Sequence, residues 1–340
     1  MAASPAPVLS VEAIGALAHR ALVVNGFSDE HAVAIAQLVA AAERDGCPSH
    51  GLMRVPTYVS SVRSGRIDPR AVPSATEPTP SALRVDGGGG FSTLAVHRHV
   101  DRLTDMARAQ GMAAMLVVNA HHLGALWYDV EPLAARGLVG VALVAARPVM
   151  SVFGSRAPVF GTNPLAFACP SPGAAPLVFD MASSAAARGE IMLAASEGRA
   201  IPETWAVDPA GRPTTDPARG LEGMLLPFGG GHKGSSIALM VELLAVLLGG
   251  GQFGFEAIAA DRGDGGPLAT GQTLLAFDPV RLGGGDPAAR VGALVAHMTG
   301  AGVDRMPGAR RLEARARHLA PGVPVNPALL ERIAQLSRTP

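Results

Sequence analysis

Several things are scarce in this chain, and each shortage excludes a class of protein. There are two cysteines in 340 residues, Cys47 and Cys169. They build no disulfide framework and form no C-x-x-C pair, which fits a reducing, cytoplasmic setting. Charged residues make up 16% of the sequence and sum to a net charge of zero. That balance gives no electrostatic footprint for nucleic acid or an anionic membrane. No apolar run reaches the roughly 18 residues that a membrane-spanning helix requires. The opening MAASPAPVLS has no basic region ahead of its apolar residues, so no signal peptide is expected. Against these shortages stands a hydrophobic fraction of 48%. A chain of this length and composition folds around a large core in about two domains. A small-molecule enzyme is the expectation.

Lysine is scarcer still. Lys233 is the only lysine among 28 basic residues, and it lies inside FGGGHKGSS. A compact ammonium kept in a glycine-rich turn points to a role that a guanidinium fork cannot fill. Familiar motifs are also missing. GGGG at 87–90 leads into no G-x-G-x-x-G pattern, and FGGGHKGSS breaks the Walker spacing because Gly234 follows Lys233. The second stretch is still a turn that opens a helix, with backbone N–H groups and a cation available to an anion. No G-x-S-x-G elbow occurs, and the adjacent Ser49 and His50 cannot easily set Oγ against their own imidazole. No H-x-x-x-H spacing supports zinc, although His50, His121, His122 and His232 could converge in principle, so no metal is expected.

Ser10 is placed to cap a helix running to Val24, and Ser28 a second one ending at Asp45-Gly46. Leu52 to Arg63 is helix-like and kinks or begins at Pro56. SHGLMR (49–54) therefore lies at a helix junction. A Pro-rich linker is expected over 68–81, then a strand and turn in LRVDGGGGF, and a helix from Leu94 to Gln110. Strands are expected at 112–120, 138–146, 176–182 and 273–279. Helices are expected around Ala125–Arg136, Ser184–Ser196, Ser235–Leu248 and Pro327–Arg338, with a loop at 250–270. The mixture predicts an α/β or α+β domain flanked by helices from both chain ends.

Within SHGLMR, Arg54 lies one helical turn beyond His50. An imidazole and a guanidinium on one face suit a small carboxylate: the fork grips the anion while the imidazole moves a proton. NAHHLGALW (119–127) follows a strand, where loops commonly line clefts. FGTNPLAF (160–167) and FDMASSAAARGE (179–190) add hydroxyls, an amide and carboxylates. Their bland reading is turn chemistry, with Ser183 or Ser184 capping the next helix.

SHGLMRVPTYVSSVRSG, HHLGALW, FGTNPLAF, VFDMASS and LLPFGGGHKGSS together resemble, in order and spacing, the malate/L-lactate dehydrogenase-like NAD(P)-dependent oxidoreductases. The resemblance runs from about residue 9 to 335. RDGCPSHGLMRVPTYVSSVRSG and HHLGALWYDVEP resemble the Δ1-piperideine-2-carboxylate/Δ1-pyrroline-2-carboxylate reductases of that family; members acting on keto acids usually carry N-H-F-G-x-x-G-Y-Y.

The resemblance implies a non-Rossmann α/β fold. Its cofactor domain, 81–309, has a mostly antiparallel sheet, and a helical region is built from 1–80 with 310–340. It further implies a homodimer that uses NADPH, or NADH, to reduce a cyclic imino acid. In that reading His50 donates the proton, Ser49 relays to it, and Arg54 holds the substrate carboxylate with Thr162, Ser183 and Ser184 nearby. Cofactor contacts fall on His122, Leu123, Gly124, Ala125 and Leu126, on Asp180, Met181 and Ala182, and on His232 and Lys233. In RMPGARR, the arginines Arg305, Arg310 and Arg311 are expected to meet the extra phosphate of NADPH. The third relay position, usually aspartate, is Glu190, and Leu123 replaces the usual aromatic. Two alternatives stay open: an NADH-linked 2-hydroxy-acid dehydrogenase acting on a 2-oxo acid, and a catalytically idle ligand-binding relative.

Overall fold

The computed structural model of the chain describes residues 6–173, 175–259, 261 and 267–338. The first five residues of the opening segment, and residues 260 and 262–266 of the expected 250–270 loop, lie outside them. At both expected N-caps a serine hydroxyl holds the first turn. Ser10 Oγ accepts from the Ala13 amide at 3.1 Å and opens α1 (Val11–Val24). Ser28 Oγ accepts from the His31 amide at 3.3 Å and opens α2 (Asp29–Arg44). Each satisfies a donor that the helix itself leaves unpaired. Helix α3 (Val55–Arg63) carries Pro56 in its first turn, so the proline starts the helix rather than kinking it.

Seven strands form the main sheet: β1 (Ser74–Thr79), β2 (Ala82–Asp86), β3 (Met112–Val118), β4 (Val139–Val144), β5 (Leu165–Cys169), β6 (Leu177–Met181) and β7 (Gly271–Phe277). Their order is β1-β2-β3-β7-β4-β5-β6. Only β2 and β3 pair in parallel; every other neighbour is antiparallel. The mixed, mostly antiparallel sheet matches the expectation.

Its alternation divides two cores. Ala142 and Val144 face a cluster with α4 (Ser92–Gln110) and α5 (Trp127–Ala135), containing Leu103, Met106, Val130 and Leu133. Leu143 and Ala145 face the opposite cluster, with Val241, Ala245 and Val246. Period-two side chains on a strand covered on both faces produce this split.

Beside the short helices Pro217–Glu222, Gly254–Ala259 and Pro279–Gly283, the longer ones are α6 (Arg188–Ser196), α7 (His232–Val246), α8 (Pro287–Gly300), α9 (Ala309–Leu319) and α10 (Pro327–Leu336). A third core joins Ile14 and Leu22 of α1, Ile35 of α2, Val55 and Tyr58 of α3, and Val323 and Ile333 from the far end of the chain. Val8–Leu9 pairs with Val323–Pro324. Both chain ends thus build one helical unit. No described helix is long and apolar enough to cross a membrane.

Four local expectations change. The 68–81 linker contains β1, an exposed edge strand with a register shift between Thr76 and Thr79. An edge tolerates Pro78 because no ladder bond is lost there. The sheet therefore begins inside the stretch assigned to the helical region. FGTNPLAF runs directly into β5. The 250–270 segment contains the helix Gly254–Ala259. Helices Pro279–Gly283 and α8 were not foreseen; each opens on an aspartate cap followed by proline, Asp278-Pro279 and Asp286-Pro287.

Candidate active site

The SHGLMR segment folds as two 3-10 turns, Pro48–His50 and Leu52–Arg54, broken at Gly51. The break is built from below. Glu43, buried on α2, accepts the Leu52 amide on Oε1 at 2.7 Å. A Cβ at Gly51 would overlap that carboxylate, so only glycine lets the loop close onto it. Burial raises the Glu43 carboxyl above its usual range.

On this loop Arg54 is partly buried. Its Nε donates to the Ser49 carbonyl at 2.7 Å, and no carboxylate pairs with it among the described residues. Burial lowers its pKa. His50 has its Nδ1 buried without a hydrogen-bond partner. Burial first, then the charge of Arg54, then His122, hold its pKa down at about 3. The site thus presents a cation without a counter-ion among the described residues, beside a neutral imidazole with an unpartnered nitrogen.

HHLGALW comes against this loop from β3. His122 Nε2 faces the Gly124 carbonyl at 2.9 Å and Nδ1 faces Ser92 Oγ at 3.2 Å. A ring nitrogen facing a carbonyl carries the hydrogen, so Nδ1 accepts from Ser92. Burial lowers His122 to about 4. Tyr58 ties the two segments together. It is fully buried, its hydroxyl donates to the Leu123 carbonyl at 3.2 Å, and its ring meets Phe91 edge-on at 4.9 Å. Ala125 and Leu126 are buried, and Asp180 Oδ2 accepts the Trp127 amide at 3.0 Å. Although Asp180 lies on the exposed edge strand with Met181, enclosure of its carboxyl pushes it up to about 6.

The remaining motifs converge through backbone bonds. The Ser183 amide donates to the Thr162 carbonyl at 2.7 Å, and the Phe228 amide to the Ser183 carbonyl at 3.0 Å. Ser184, beside Ala182 and Ser183, bridges to Pro227. This chain of contacts leads into α7, which opens at exposed His232 and Lys233 with no side chain capping its first turn. The helix starts three residues earlier than expected. At the start of α6, a Cβ on Gly189 would lie 3.7 Å from an Arg54 nitrogen and 3.8 Å from Ser49 Cβ. This close approach brings the two halves of the site together.

Some expected residues stand apart. Glu190 is exposed and makes no side-chain bond to His50 or Ser49. Successive helical residues turn by about 100°, so the register that aims Gly189 at Arg54 turns Glu190 away. Neither Ser183 nor Ser184 caps α6: the cap position is Ala187, without a side-chain bond. Ser183 Oγ donates to the Asn163 carbonyl and Ser184 Oγ to the Ala186 carbonyl, both at 2.6 Å. Arg305 and Arg310 are exposed. Arg311 is engaged: it bonds Asp45 at 2.9 Å and Glu131 at 2.6 Å, and lies 4.1 Å over the Trp127 ring. Among the described residues no group of three or more His, Cys, Asp or Glu is placed to hold a metal ion. A separate cavity of about 800 Å³ opens between α1, α2, α4 and α5, away from His50 and Arg54.

Glu43 and Tyr58 escaped the sequence reading, and Asn163 entered it only as the amide of FGTNPLAF. Tyr58 had a signal, since it lies four residues after Arg54 and shares its helical face.

The parts fit a nicotinamide dinucleotide. The uncapped first turn of α7 beside Lys233 suits a diphosphate, and the buried His50 Nδ1 lacks a hydrogen-bond partner within the chain's described residues. The sequence profile of the malate/L-lactate dehydrogenases matches residues 9–334. A Δ1-pyrroline-2-carboxylate reductase of Pseudomonas fluorescens is 46% identical, over 96% of this chain and 98% of its own. A (2R)-3-sulfolactate dehydrogenase (NADP(+)) of Chromohalobacter salexigens is 40% identical, over 89% and 90%. The crystal structure of Δ1-piperideine-2-carboxylate reductase from Pseudomonas syringae superimposes with a TM-score of 0.94 at 42% identity, covering 97% of this chain and 99% of that one. The chain belongs to the malate/L-lactate dehydrogenase family of nicotinamide-dependent oxidoreductases.

Proposed function

We propose that this chain is an NADPH-dependent reductase of cyclic imino acids, converting Δ1-pyrroline-2-carboxylate to L-proline and Δ1-piperideine-2-carboxylate to L-pipecolate. The observation that carries it is the partly buried Arg54 guanidinium, without a carboxylate partner among the described residues, set beside His50 with its unpartnered Nδ1. Relatives named as reductases of these two compounds support the choice of a C=N substrate. The NADP(+) in the sulfolactate dehydrogenase's name supports the phosphorylated cofactor.

The reduced nicotinamide, when bound, supplies the hydride. The chain does the rest. Arg54 binds the carboxylate through a two-pronged contact, with Thr162 closing the other side and the buried Ser183 supporting Thr162 from behind. Its Nε bond to the Ser49 carbonyl fixes the fork relative to His50. His50 delivers the proton that the ring nitrogen takes up as the adjacent carbon gains hydride. In the free site, burial and the Arg54 charge keep the imidazole neutral. A carboxylate arriving at Arg54 offsets that charge, so substrate binding itself raises the proton affinity of His50. Asp180, held by the Trp127 amide, orients the HHLGALW segment, while His232, Lys233, Arg305 and Arg310 are available to phosphates.

A second reading has a specific observation behind it: the sulfolactate dehydrogenase relative acts on a 2-hydroxy acid. A homodimer accords with the exposed apolar Phe179, Met181, Met192 and Leu193 beside the site. The deciding experiment is a spectrophotometric panel with pyrroline-2-carboxylate, piperideine-2-carboxylate, pyruvate and oxaloacetate, each with NADPH and NADH. Turnover of the two imino acids with NADPH, at least about tenfold above the keto acids, is expected. Preference for a keto acid overturns the imino-acid reading.

A further inference from the structure

The FGTNPLAF stretch contributes more than the Thr162 contact. Asn163, the next residue, is completely buried and adopts a left-handed backbone, φ +33°. Few side chains accept that conformation; asparagine and aspartate are among them. Every polar group of its carboxamide is used. Nδ2 donates to the Ala238 carbonyl at 3.0 Å and to Glu242 Oε2 at 2.8 Å, both on α7. Oδ1 accepts the Ala146 amide at 3.2 Å, just beyond β4. Its backbone carbonyl accepts Ser183 Oγ at 2.6 Å, while the Ser183 amide bonds the Thr162 carbonyl at 2.7 Å. Glu242 is itself buried, and its other oxygen accepts the Gly254 amide at 3.0 Å.

One carboxamide therefore spans three elements. On one side is Thr162, the proposed substrate contact, with the buried Ser183 bonded behind it. On the other is α7, whose first turn carries His232 and Lys233. We propose that Asn163, backed by Glu242, is a positioning residue for the reduction: it locks the substrate-facing loop to the cofactor-facing helix so that hydride donor and acceptor meet in register. The chemistry explains the residue type. Aspartate keeps the shape and the left-handed tolerance but has no donor for Ala238 and Glu242. Glycine keeps the backbone but loses every side-chain bond. Glutamine is too long for the space. Small misplacements of reacting groups cost large factors in rate, so the effect belongs on turnover rather than on binding of either ligand alone.

The claim rests on the imino-acid reading for its assay but not for its geometry. In the full-length enzyme, N163G, N163D and the double variant N163D/E242Q are compared for thermal melting, NADPH binding by fluorescence and steady-state kinetics. The expected result is kcat at least tenfold lower in N163G and N163D, measured on protein folded by circular dichroism, with the NADPH Kd within threefold of the parent. N163D/E242Q, which returns a donor to the buried contact, is expected to recover at least threefold of the loss seen in N163D. A folded N163D with kcat within twofold of the parent overturns the proposal. So does a loss that matches the loss of folded protein. If the parent reduces only a keto acid, the imino-acid reading fails and the same comparison is made on that substrate. If it reduces nothing, hydrogen exchange decides: faster exchange over 181–186 in N163D supports the anchoring, and unchanged exchange overturns it.

Discussion

His50 is half-buried on a loop whose every turn is specified by a neighbour, and its neutrality is set by burial and by Arg54. His50→Ala is therefore expected to lower kcat by about 10² to 10⁴-fold, the range for a positioned proton donor, with NADPH binding retained; kcat near the parent value removes the donor role. Because the donor must be protonated, log kcat/KM for reduction should fall as pH rises, and a pKa below 6.5 places that fall early. Arg54→Gln removes a cationic neighbour and so raises the His50 pKa. The alkaline limb of its pH profile should move to higher pH while KM for the carboxylate rises about 100-fold. A profile that stays in place would dissociate the two residues. Gly51→Ala forces a methyl against Glu43; overpacking of this kind costs about 1–3 kcal/mol, measurable as a lower denaturant midpoint with unchanged slope. The SHGLMR pattern placed the proposed proton donor and anion clamp on one segment. It could not show that Glu43, six residues upstream and on another element, shapes that segment.

Between elements, the join most exposed to mutation is where α2, α5 and α9 meet. Asp45, with no exposed side-chain surface, bonds Arg44 at 2.6 Å, Arg311 at 2.9 Å and Arg315 at 2.5 Å; Glu131 accepts from Arg315 at 2.7 Å. Arg311 closes the group by lying over Trp127, whose amide holds Asp180. A buried network is costly to break, because removing one partner strands the others. Asp45→Ala is expected to destabilise the protein by about 3–5 kcal/mol and to weaken NADPH binding through Trp127 and Asp180. An unchanged melting temperature would show the network to be dispensable. This ion cluster also explains why RMPGARR divides in two. Its last arginine is structural, and only Arg305 and Arg310 remain free for a phosphate. Caps and apolar stripes made α1, α2 and α10 legible, since a helix start depends on residues two or three positions apart. The edge strand β1 was hidden because its partner lies across a turn and its own composition, SATEPT, reads as linker.

Over the whole molecule, the buried titratable groups pull the pH dependence of stability in opposite directions. His31, at about 4, and His50 and His122 have depressed values, so they remove stability as pH falls below 6.5. Asp129 goes the other way. Buried on α5 and bonded by Gln272 Nε2 at 2.7 Å, it is raised to about 7, chiefly by burial. A raised acid favours the folded state while protonated, and this contribution is lost as pH climbs from 3.8 through 7. Asp129→Asn keeps an acceptor for Gln272 and cannot ionise. Its melting temperature should match the parent near pH 4 and exceed it by at least about 2 °C at pH 8; a constant offset would argue against Asp129 as the titrating group.

By itself the sequence determined the fold class, the order of most helices and strands, and the segments to which the proposed chemistry is assigned, because period, caps and motif spacing are local properties. Only the tertiary structure decided which of those residues face one another. It turned Gly189 rather than Glu190 toward Arg54, engaged Arg311 with carboxylates from two distant helices, and made Asn163 the link between loop and helix. Helical rotation, close approach and the filling of buried hydrogen bonds set these outcomes, and all three depend on contacts between residues far apart in the chain.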